Sequence, residues 1–450
     1  MINKIIRFAD DLNMFPEAGI VLACVSGGAD SMCLLYALLE ISRTRGFEVS
    51  VAHYNHQLRG GESERDESFV KKRCEYLGVA FYSERGDVRN YALQHKIGIE
   101  QAARVLRYAF FYAIAEKVNA ARIATAHTAD DNTETVIMNI ARGAGAAGLS
   151  GIPPVRDSII RPMLRVSRTD VLRFAEERDI PFISDSTNEL DIYTRNKIRH
   201  SIIPVLSGIN PQLNEAAAAT AELARADEEY LSGLADEFIS GNLMRGSVDA
   251  AALTSLPPAI SGRVVRKLCG GGITFKHVEM VMDMSRHGGP SARLSLPGMT
   301  VFKEYGRVVF GRKNDCDEGG FQPIFPNDGD NIPIPGLCLK LSCKMVTYGD
   351  IIPRIINKSF TSFIFKYSEL YGKLTVRPRR EGDAVRLLGK DGTKTLKKLF
   401  IEHRIPARKR DNVPVIADDL GVLAIYGLGP SDRAVPGSGD LAVQIEFEDI

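Results

Sequence analysis

In the first half of the chain, apolar residues follow two alternating patterns. Short continuous apolar runs are typical of buried strands, and stretches with apolar residues every three to four positions are typical of helices. The predicted strands cover residues 21–25, 47–53, 79–84 and 122–126, and the predicted helices cover 32–39, 62–77, 100–118, 130–142, 168–178 and 194–206. Strands that alternate with helices predict an α/β domain over residues 1–209, with a doubly wound, mainly parallel sheet.

The pattern changes after residue 209. Asn210 and Pro211 indicate a helix start, and apolar residues then recur at helical spacing, which predicts a connector helix over 210–245. Residues 246–330 are predicted to form a middle domain of short helices with a hairpin at 291–312, followed by an acidic linker. Residues 331–450 are strand-rich with many turn signals, which predicts a C-terminal α+β domain.

A glycine-rich turn joins the first strand to the first long helix. It consists of Ser26, Gly27, Gly28, Ala29, Asp30 and Ser31. Two glycines let successive backbone N–H groups converge beside the positive end of a helix, as in phosphate sites. A Walker A loop would contain a lysine, which is absent here. Asp30 fits this turn if it helps to hold Mg²⁺ or to orient the loop; the alternative is an ordinary strand–helix turn.

Three further polar segments are candidates for the site. His53 to Arg59 follow the second predicted strand, and His127 to Thr135 follow the strand at 122–126. Glu100 to Tyr108 begin a predicted helix. Helical spacing puts Glu134 on one face with Asp130 and Asp131, where like charges are unfavourable unless a cation, Mg²⁺ or a substrate amine, neutralises them. The alternative is that the helix dipole favours acids at this position.

Two arginines near the end of the α/β domain are spaced for anion binding. Arg195 and Arg199 are four residues apart, so both guanidinium groups lie on one helical face and suit a phosphate. Together with the glycine-rich turn, they describe an enzyme that uses ATP.

Composition adds one further signal. The chain has 450 residues, 44% hydrophobic and 25% charged, with a net charge of only +1. Residues 372–412, however, contain thirteen Lys and Arg against five Asp and Glu, a local net charge of +8. Clustered charge of this kind favours a polyanion such as RNA, although a solvated basic face is the alternative. The clusters are Arg377, Arg379 and Arg380; Lys394, Lys397 and Lys398; and Arg404, Arg408 and Arg410.

The remaining features argue against several other classes. The N-terminal residues lack a signal-peptide pattern, and no apolar stretch is long enough to span a membrane, so no membrane association is expected. The seven cysteines are scattered without a Cys-x-x-Cys motif, which indicates reduced thiols in the cytoplasm and neither a zinc site nor an iron–sulfur cluster. The oligomeric state has no sequence signal; a homodimer is the candidate because dimers are the commonest assembly.

The ordered motifs resemble a known family, the tRNA(Ile)-lysidine synthetases of the PP-loop (N-type ATP pyrophosphatase) superfamily. The turn at 26–31 is similar to the superfamily's Ser-Gly-Gly-x-Asp-Ser motif. The synthetase's own blocks resemble residues 53–59, 100–108, 127–135, 142–151, 185–188 and 195–199 in their usual order, and its tRNA-binding tail resembles 380–383, 394–400 and 404–410. The resemblance spans nearly the whole chain and is least distinctive over 240–370. One departure is Asn132, where the family usually has Gln.

The resemblance implies a reaction between ATP, free L-lysine and a tRNA(Ile) with a CAU anticodon. The wobble cytidine is adenylated, pyrophosphate leaves, and lysine then displaces AMP to form lysidine. The implied catalytic residues are Asp131 or Asp130 and Arg199 or Arg195, and the implied lysine-binding residues are Glu134 and Asp131. The implied ATP-binding residues are Ser26 to Ser31, His53 and Arg107, with Asp30 for Mg²⁺, and the implied tRNA-binding residues are Arg377, Arg379, Arg380, Lys394, Lys397, Lys398, Arg404 and Arg410.

Two rival functions remain at this stage. Another PP-loop enzyme that adenylates tRNA is the first; a thiolase would need reactive cysteines or a cluster, and a glutaminase domain has no room before the glycine-rich turn. A non-catalytic tRNA-binding protein is the second, and the intact acids argue against it.

Overall fold

The protein is described here by a computed structural model, which covers residues 1–58, 61–183, 194–312, 320–349 and 359–450. These residues form two compact units, Met1–Tyr230 and Leu231–Ile450. The finer division at residues 209, 245 and 330 stays a prediction. No helix in the described ranges is both long enough and apolar enough to cross a membrane.

The first unit alternates strands and helices. Its strands are β1 (Gly19–Cys24), β2 (Phe47–Asn55), β3 (Ala80–Arg85), β4 (Ala120–Ala124), β5 (Val155–Arg156) and β6 (Ile159–Ile160). Its helices are α1 (Ile2–Asp11), α2 (Ala29–Arg45), α3 (Gly61–Leu77), α4 (Val88–His95), α5 (Ile99–Lys117), α6 (Ala129–Ala141), α7 (Ala146–Leu149), α8 (Arg168–Glu177), α9 (Thr194–Lys197), α10 (Ile203–Ile209) and α11 (Leu213–Asn242), the last of which continues into the second unit.

The six strands form one sheet in the order β3-β2-β1-β4-β6-β5. All neighbouring strands are parallel except β5, which is antiparallel to β6. The chain first builds outward from β1 through β2 and β3, and then crosses back to place β4 on the other side of β1. The doubly wound, mainly parallel sheet expected for the first unit is confirmed.

β1 is buried on both faces of the sheet. Val21, Ala23 and Val25 pack into a core with residues of α1, α2 and α8, whereas Leu22 and Cys24 pack on the opposite face with residues of α5. Alternate residues of a strand point to opposite faces, so a strand covered on both sides reads as a continuous apolar run. This double packing holds the end of β1, and the turn after it, in a fixed position.

The second unit is built from antiparallel sheets and short helices. Its helices are α12 (Ala250–Ser255), α13 (Pro258–Cys269), α14 (Phe275–His287) and α15 (Leu396–Glu402). Its strands are β7 (Ser247–Asp249), β8 (Ser291–Leu296), β9 (Met299–Glu304), β10 (Arg307–Arg312), β11 (Asn331–Ile334), β12 (Leu339–Thr347), β13 (Ser362–Lys366), β14 (Thr375–Arg377), β15 (Ala384–Val385), β16 (Lys394–Thr395), β17 (Val415–Asp418), β18 (Gly421–Ile425), β19 (Gly429–Pro430) and β20 (Leu441–Asp449). The sheets are β7-β10-β9-β8, β11-β12-β20-β13, β14-β17-β18-β19 and β15-β16.

Several elements differ from the sequence prediction. The segment 291–312 forms three strands of a four-stranded sheet rather than a hairpin, and α1 and α4 were not predicted. The predicted helix over 194–206 is interrupted by a π-helical turn at Ile198–Ile202. Pro204 lies two residues after the end of this turn. It lacks a backbone N–H and crowds the preceding turn, which disturbs the regular helical hydrogen bonds. The connector helix α11 begins at Leu213 rather than Pro211.

Candidate active site

The carboxyl ends of β1 and β4 bring together two of the segments selected from the sequence. Residues 26–31, called the glycine loop below, follow β1 and lead into α2, and residues 127–134 follow β4 and lead into α6. The two strands are neighbours, and the strand order reverses between them. Open α/β sheets bind ligands at such a reversal. This edge of the sheet is therefore the candidate active site.

The hydroxyl of Ser31 holds the glycine loop in shape. It accepts hydrogen bonds from the backbone N–H groups of Ser26 and Gly27, at 3.1 and 3.2 Å, and donates to the carbonyl oxygen of Gly28 at 3.0 Å. Gly27 has a φ of +100°, and a Cβ there would lie 3.3 Å from Cδ1 of Ile183. Glycine is thus required at this position. The loop presents the first turn of α2, the positive end of the helix dipole, to the edge of the sheet.

Asp30, in the first turn of α2, forms an ion pair with Arg168, the first residue of α8. Burial raises the pKa of the Asp30 carboxyl above its ordinary value; the guanidinium of Arg168 opposes this shift, and the charge of Asp131 adds to it. Asp30 and Asp131 therefore lie within electrostatic range of each other, which couples the glycine loop to the acids of α6.

The two adjacent acids at the start of α6 have different partners. Asp131 forms a capping box with Thr128: its Oδ2 accepts the Thr128 N–H at 2.9 Å, and its own N–H donates to Oγ1 of Thr128. Asp130 accepts the backbone N–H of Arg168 at 2.7 Å. Asp131 is thus held within its own helix, whereas Asp130 ties α6 to α8.

Two arginines provide the positive charge that the acids of α6 require. Nε of Arg195 lies 2.6 Å from Glu134, and its Nη2 lies 2.9 Å from Oδ1 of Asp131. Nε of Arg199 lies 2.5 Å from Glu134, and its Nη2 lies 3.6 Å from the same oxygen of Asp131. The sequence predicts Mg²⁺ or a substrate amine in this role. In the structure, both guanidinium groups fill it, and Glu134 is only 1% exposed beneath them.

The acids in turn keep one of these arginines charged. Burial acts to lower the pKa of Arg199, but the hydrogen bond and charge of Glu134, together with Asp131, raise it above its ordinary value. The four side chains therefore form a charge-balanced cluster, which stabilises buried ions that would otherwise be unfavourable.

His53 and Arg107 lie near the residues that connect β1 to the glycine loop. Nδ1 of His53 lies 2.8 Å from the carbonyl oxygen of Val25, and burial lowers the pKa of its imidazole. Burial also lowers the pKa of Arg107, whose charge interacts with Tyr108 and with the thiol of Cys24. His53 thus contacts the residue between β1 and the loop, and Arg107 lies within electrostatic range of the end of β1.

A Mg²⁺ ion fits this arrangement only as an ion shared with a substrate. Within the described ranges, no three His, Cys, Asp or Glu side chains are grouped so as to hold a metal ion by themselves. Nucleotide-bound Mg²⁺ uses one or two carboxylates, phosphate oxygens and water, so such a group is not needed. Asp30, in the first turn of α2, is the carboxylate of the glycine loop that would suit such an ion.

Comparison with known proteins gives matches over nearly the whole chain. The family model of a PP-loop domain matches residues 2–206, and that of a TilS substrate C-terminal domain matches residues 374–446. The chain is 32% identical to the tRNA(Ile)-lysidine synthase of Geobacillus kaustophilus, over 96% of this chain and 95% of that protein. The chain belongs to the tRNA(Ile)-lysidine synthase family. A second family member, from Solibacter usitatus, is 33% identical over 95% of this chain and 98% of its own length.

A solved structure is also similar to part of the chain. The crystal structure of a TilS C-terminal domain shares 27% sequence identity and covers 29% of this chain and 97% of its own chain, with a TM-score of 0.26.

The part of the chain that matches the family's C-terminal domain contains the basic residues predicted to bind tRNA. Arg380, Lys397, Lys398 and Arg404 are exposed on its surface. Lys394 is half-buried and forms a surface ion pair with Glu402 at 2.8 Å. These five side chains carry positive charge at positions that a phosphate can approach.

Three other predicted tRNA-binding arginines are engaged within the second unit. Arg377 is buried and forms two hydrogen bonds of 2.8 Å to the carboxylate of Asp383. Arg410 is also buried and donates to the carbonyl oxygen of Ile405 and to the hydroxyl of Tyr305. Neither guanidinium presents a surface to phosphate. The third, Arg379, pairs with Asp411 at 2.7 Å.

The buried ion pair of Arg377 and Asp383 predicts a loss of stability when either residue is substituted. Burial would raise the pKa of Asp383, but hydrogen bonds from Arg377 and from the Arg380 backbone lower it, so this carboxyl stays ionised. Arg377→Ala leaves that charge buried without its partner and is expected to lower the free energy of unfolding by about 3–5 kcal/mol. Urea unfolding of the full chain measures this change.

A matched control is Arg386→Ala, which removes an ion pair to Asp432 that is exposed to solvent. Exposed pairs contribute less than about 1 kcal/mol. Equal destabilisation by the two substitutions would contradict a structural role for Arg377.

Sequence reasoning missed two residues that organise the site, Thr128 and Arg168. A Thr or Ser followed three residues later by an acid is a capping-box pattern, which is present at residues 128–131 and again at 167–170. That pattern marks the starts of α6 and α8, but it carries no information on the contact of Arg168 with Asp30.

The structure also accounts for Asn132, the departure from the family pattern. Its Oδ1 accepts the backbone N–H of Ile152 at 2.8 Å, and a Cβ on Gly151 would lie 2.3 Å from that oxygen. The short amide therefore packs closely against the glycine. Two predicted segments, Arg59 and residues 185–188, lie outside the described ranges.

Proposed function

We propose that the chain is a cytoplasmic, ATP-dependent ligase that joins free lysine to C2 of the wobble cytidine in a tRNA(Ile) with a CAU anticodon. The product, lysidine, makes the anticodon read AUA. Family membership supports this class of reaction. The observation that carries the chemistry is the meeting of the glycine loop with the acids of α6 at the reversal of strand order.

The first proposed step is adenylation of the base. The C2 oxygen of cytidine attacks the α-phosphate of ATP, the bond to the β-phosphate breaks, and pyrophosphate leaves with the charge. Preorganised N–H donors stabilise such a developing charge, and the glycine loop with the first turn of α2 provides them. His53 and Arg107 are proposed to bind the nucleotide. Asp30 would hold Mg²⁺, which supplies further positive charge to the leaving oxygens.

The second proposed step is attack by lysine. The amine has a pKa of about 10.4 in water and must lose a proton before it attacks C2 and expels AMP. Asp131 or Asp130 is proposed to accept that proton, and Glu134 to hold the lysine. Arg195 and Arg199 occupy Asp131 and Glu134 in this structure, so lysine binding requires them to release the acids. The phosphate of the adenylated cytidine is their proposed new partner.

The tRNA is proposed to bind in two ways. Its wobble base is unstacked from the anticodon loop to reach the site, as is usual when proteins act on or read bases in RNA loops. The exposed residues Arg380, Lys397, Lys398 and Arg404 contact backbone phosphates elsewhere on the tRNA, together with Lys394 once it leaves Glu402. Such contacts give position rather than sequence information.

The test is release of pyrophosphate from ATP by the purified full chain. We expect release to depend on tRNA(Ile), and labelled lysine to enter that tRNA, with tRNA(Met) as the control because its anticodon loop carries the same CAU sequence. Release without tRNA, or no incorporation of lysine, contradicts the proposal. Release that needs tRNA but never incorporates lysine would indicate another adenylating tRNA-modifying enzyme, and tRNA binding with no release would indicate a non-catalytic protein.

A further inference from the structure

Arg168 contacts both acidic elements of the site through different parts of the residue. Its backbone N–H donates to Asp130 of α6 at 2.7 Å, and its guanidinium Nη1 donates to Asp30 of the glycine loop. These two acids are a hundred residues apart in the chain, and neither the sequence motifs nor the proposed chemistry above gives Arg168 a role.

The backbone of Arg168 is firmly held. The preceding residue, Ser167, caps α8 and forms a capping box with Asp170, and Lys4 of α1 lies 2.7 Å from the same carboxylate. In addition, the N–H of Ala129, at the start of α6, donates to the carbonyl oxygen of Val166 at 2.9 Å. Together with the bond to Asp130, these bonds hold the backbone around the Cα atom of Arg168 in a fixed position.

The side chain of Arg168, by contrast, is accessible. It is 44% exposed, and its partner Asp30 is 36% exposed. A guanidinium that is already half in water changes partners with little loss of burial, because most of its hydration is kept. A fixed backbone and an accessible side chain together allow the charge to move over a short distance without any rearrangement of α8.

Electrostatics give a reason for such a movement. Asp30 lies beside N–H groups that suit phosphate, and its negative charge would repel a nucleotide if it had no counterion. Arg168 neutralises it in the absence of nucleotide. A triphosphate carries more negative charge than one carboxylate, and the guanidinium fork matches two phosphate oxygens.

We propose that Arg168 is an exchangeable counterion of the glycine loop, and this inference rests on the proposed function. In the nucleotide-free protein its guanidinium neutralises Asp30. When ATP binds, the guanidinium transfers to the oxygens of the β- and γ-phosphates, the group that leaves as pyrophosphate, and Asp30 is released to share Mg²⁺ with them. The backbone N–H of Arg168 stays on Asp130 throughout, so the acids of α6 keep their position.

The test compares three ligands by equilibrium titration of the full chain without tRNA: ATP, inorganic pyrophosphate and AMP. Arg168→Ala removes the guanidinium but keeps the backbone N–H that binds Asp130. We expect binding of ATP and pyrophosphate to weaken at least tenfold and binding of AMP, which lacks the β- and γ-phosphates, to stay unchanged. Arg168→Lys keeps the charge without the fork and should give an intermediate loss. Arg173→Ala, at an exposed arginine of the same helix, is the control and should bind all three ligands like the wild type.

A second variant tests the exchange with Asp30. Asp30→Asn frees Arg168 from its ion pair, so ATP binding without Mg²⁺ should become several-fold tighter than in the wild type. The double variant Asp30→Asn/Arg168→Ala should lose most of that gain. If the double variant keeps the whole gain, the tighter binding comes from removal of the carboxylate charge alone, and the exchange is excluded.

Two further results would overturn the inference. One is ATP binding by Arg168→Ala equal to the wild type, and the other is an equal loss for ATP and AMP, which would indicate general distortion of the loop. Either result leaves the proposed function intact as long as the wild-type chain forms lysidine. A wild-type chain that binds ATP but forms no lysidine fails the proposed function instead, while the three-ligand comparison still decides the role of Arg168.

Discussion

An Asp131→Asn variant is expected to form lysidine about 10²- to 10⁴-fold more slowly than the wild type and to bind tRNA equally well. Asn has the shape of Asp, and its side-chain oxygen still accepts the Thr128 N–H that caps α6. What it loses is the negative charge that faces Arg195 and the capacity to take a proton from the lysine amine. The cap of α6 is therefore kept, and the change is confined to the charged groups of the site. Single-turnover incorporation of labelled lysine measures the rate, and filter binding measures tRNA affinity.

The same variant separates the two steps of the reaction. If Asp131 acts only on the lysine amine, the variant still adenylates tRNA and releases close to one equivalent of pyrophosphate per active site. It then stalls, because the adenylated tRNA waits for a nucleophile that stays protonated. A variant that releases no pyrophosphate at all would place Asp131 in the first step.

The matched control is Asp130→Asn. The amide oxygen at this position still accepts the backbone N–H of Arg168, so α6 and α8 stay connected. A larger loss for Asp130→Asn than for Asp131→Asn would identify Asp130 as the base. Loss of tRNA affinity in either variant would contradict the separation of catalysis from tRNA binding.

The glycine loop could be predicted from the sequence because its determinants are local. A buried strand, two glycines and a helix follow one another without a gap, and the Ser31 hydroxyl that shapes the loop lies within it. The start of α6 is equally local, since Thr128 and Asp131 are three residues apart. The meeting of the two segments also followed from the alternation of strands and helices, which predicts a parallel sheet.

Contacts between distant parts of the chain could not be predicted in this way. The sequence suggested a phosphate for Arg195 and Arg199 and a cation for Asp131 and Glu134, but not that these groups neutralise one another in the structure. The pairing depends on the position of residues 195–199 beside α6, and hydrophobic periodicity does not specify that position. The ion pair of Arg168 with Asp30 could not be predicted for the same reason, because the two residues lie far apart in sequence.

The local net charge of residues 372–412 does not distinguish exposed basic residues from buried ones. Arg377 and Arg380 add equally to the local net charge, yet one is buried against Asp383 and the other is exposed. The signal lay in the strand pattern: Arg377 ends β14, next to the fully buried Val376.

Reversing the charges of Lys397 and Lys398 together is expected to weaken tRNA binding by about ten- to a hundredfold while maximal turnover at saturating tRNA stays near that of the wild type. Both side chains are exposed in the first turn of α15, whose other face is buried through Leu396, Leu399 and Phe400. If each lysine neutralises one phosphate, the negative slope of log K against log salt concentration should become less steep by about 2. Binding titrations over a range of salt concentrations measure both effects.

Substitution of these two lysines is not expected to lower the stability of the folded protein. Acidic residues are favoured in the first turn of a helix, and glutamate at residue 398 would complete a capping box with Thr395, the N-cap of α15. Repulsion between this glutamate and Glu402, one turn further on, offsets the gain. The double variant should therefore unfold at nearly the same urea concentration as the wild type, so that weaker binding is not a consequence of lost structure. Reversal of the exposed Lys276 and Lys344 changes the net charge by the same amount and is the control. Equal weakening by the two double variants would mean that tRNA responds to the overall charge of the protein, whereas a loss confined to residues 397 and 398 assigns the contact to α15.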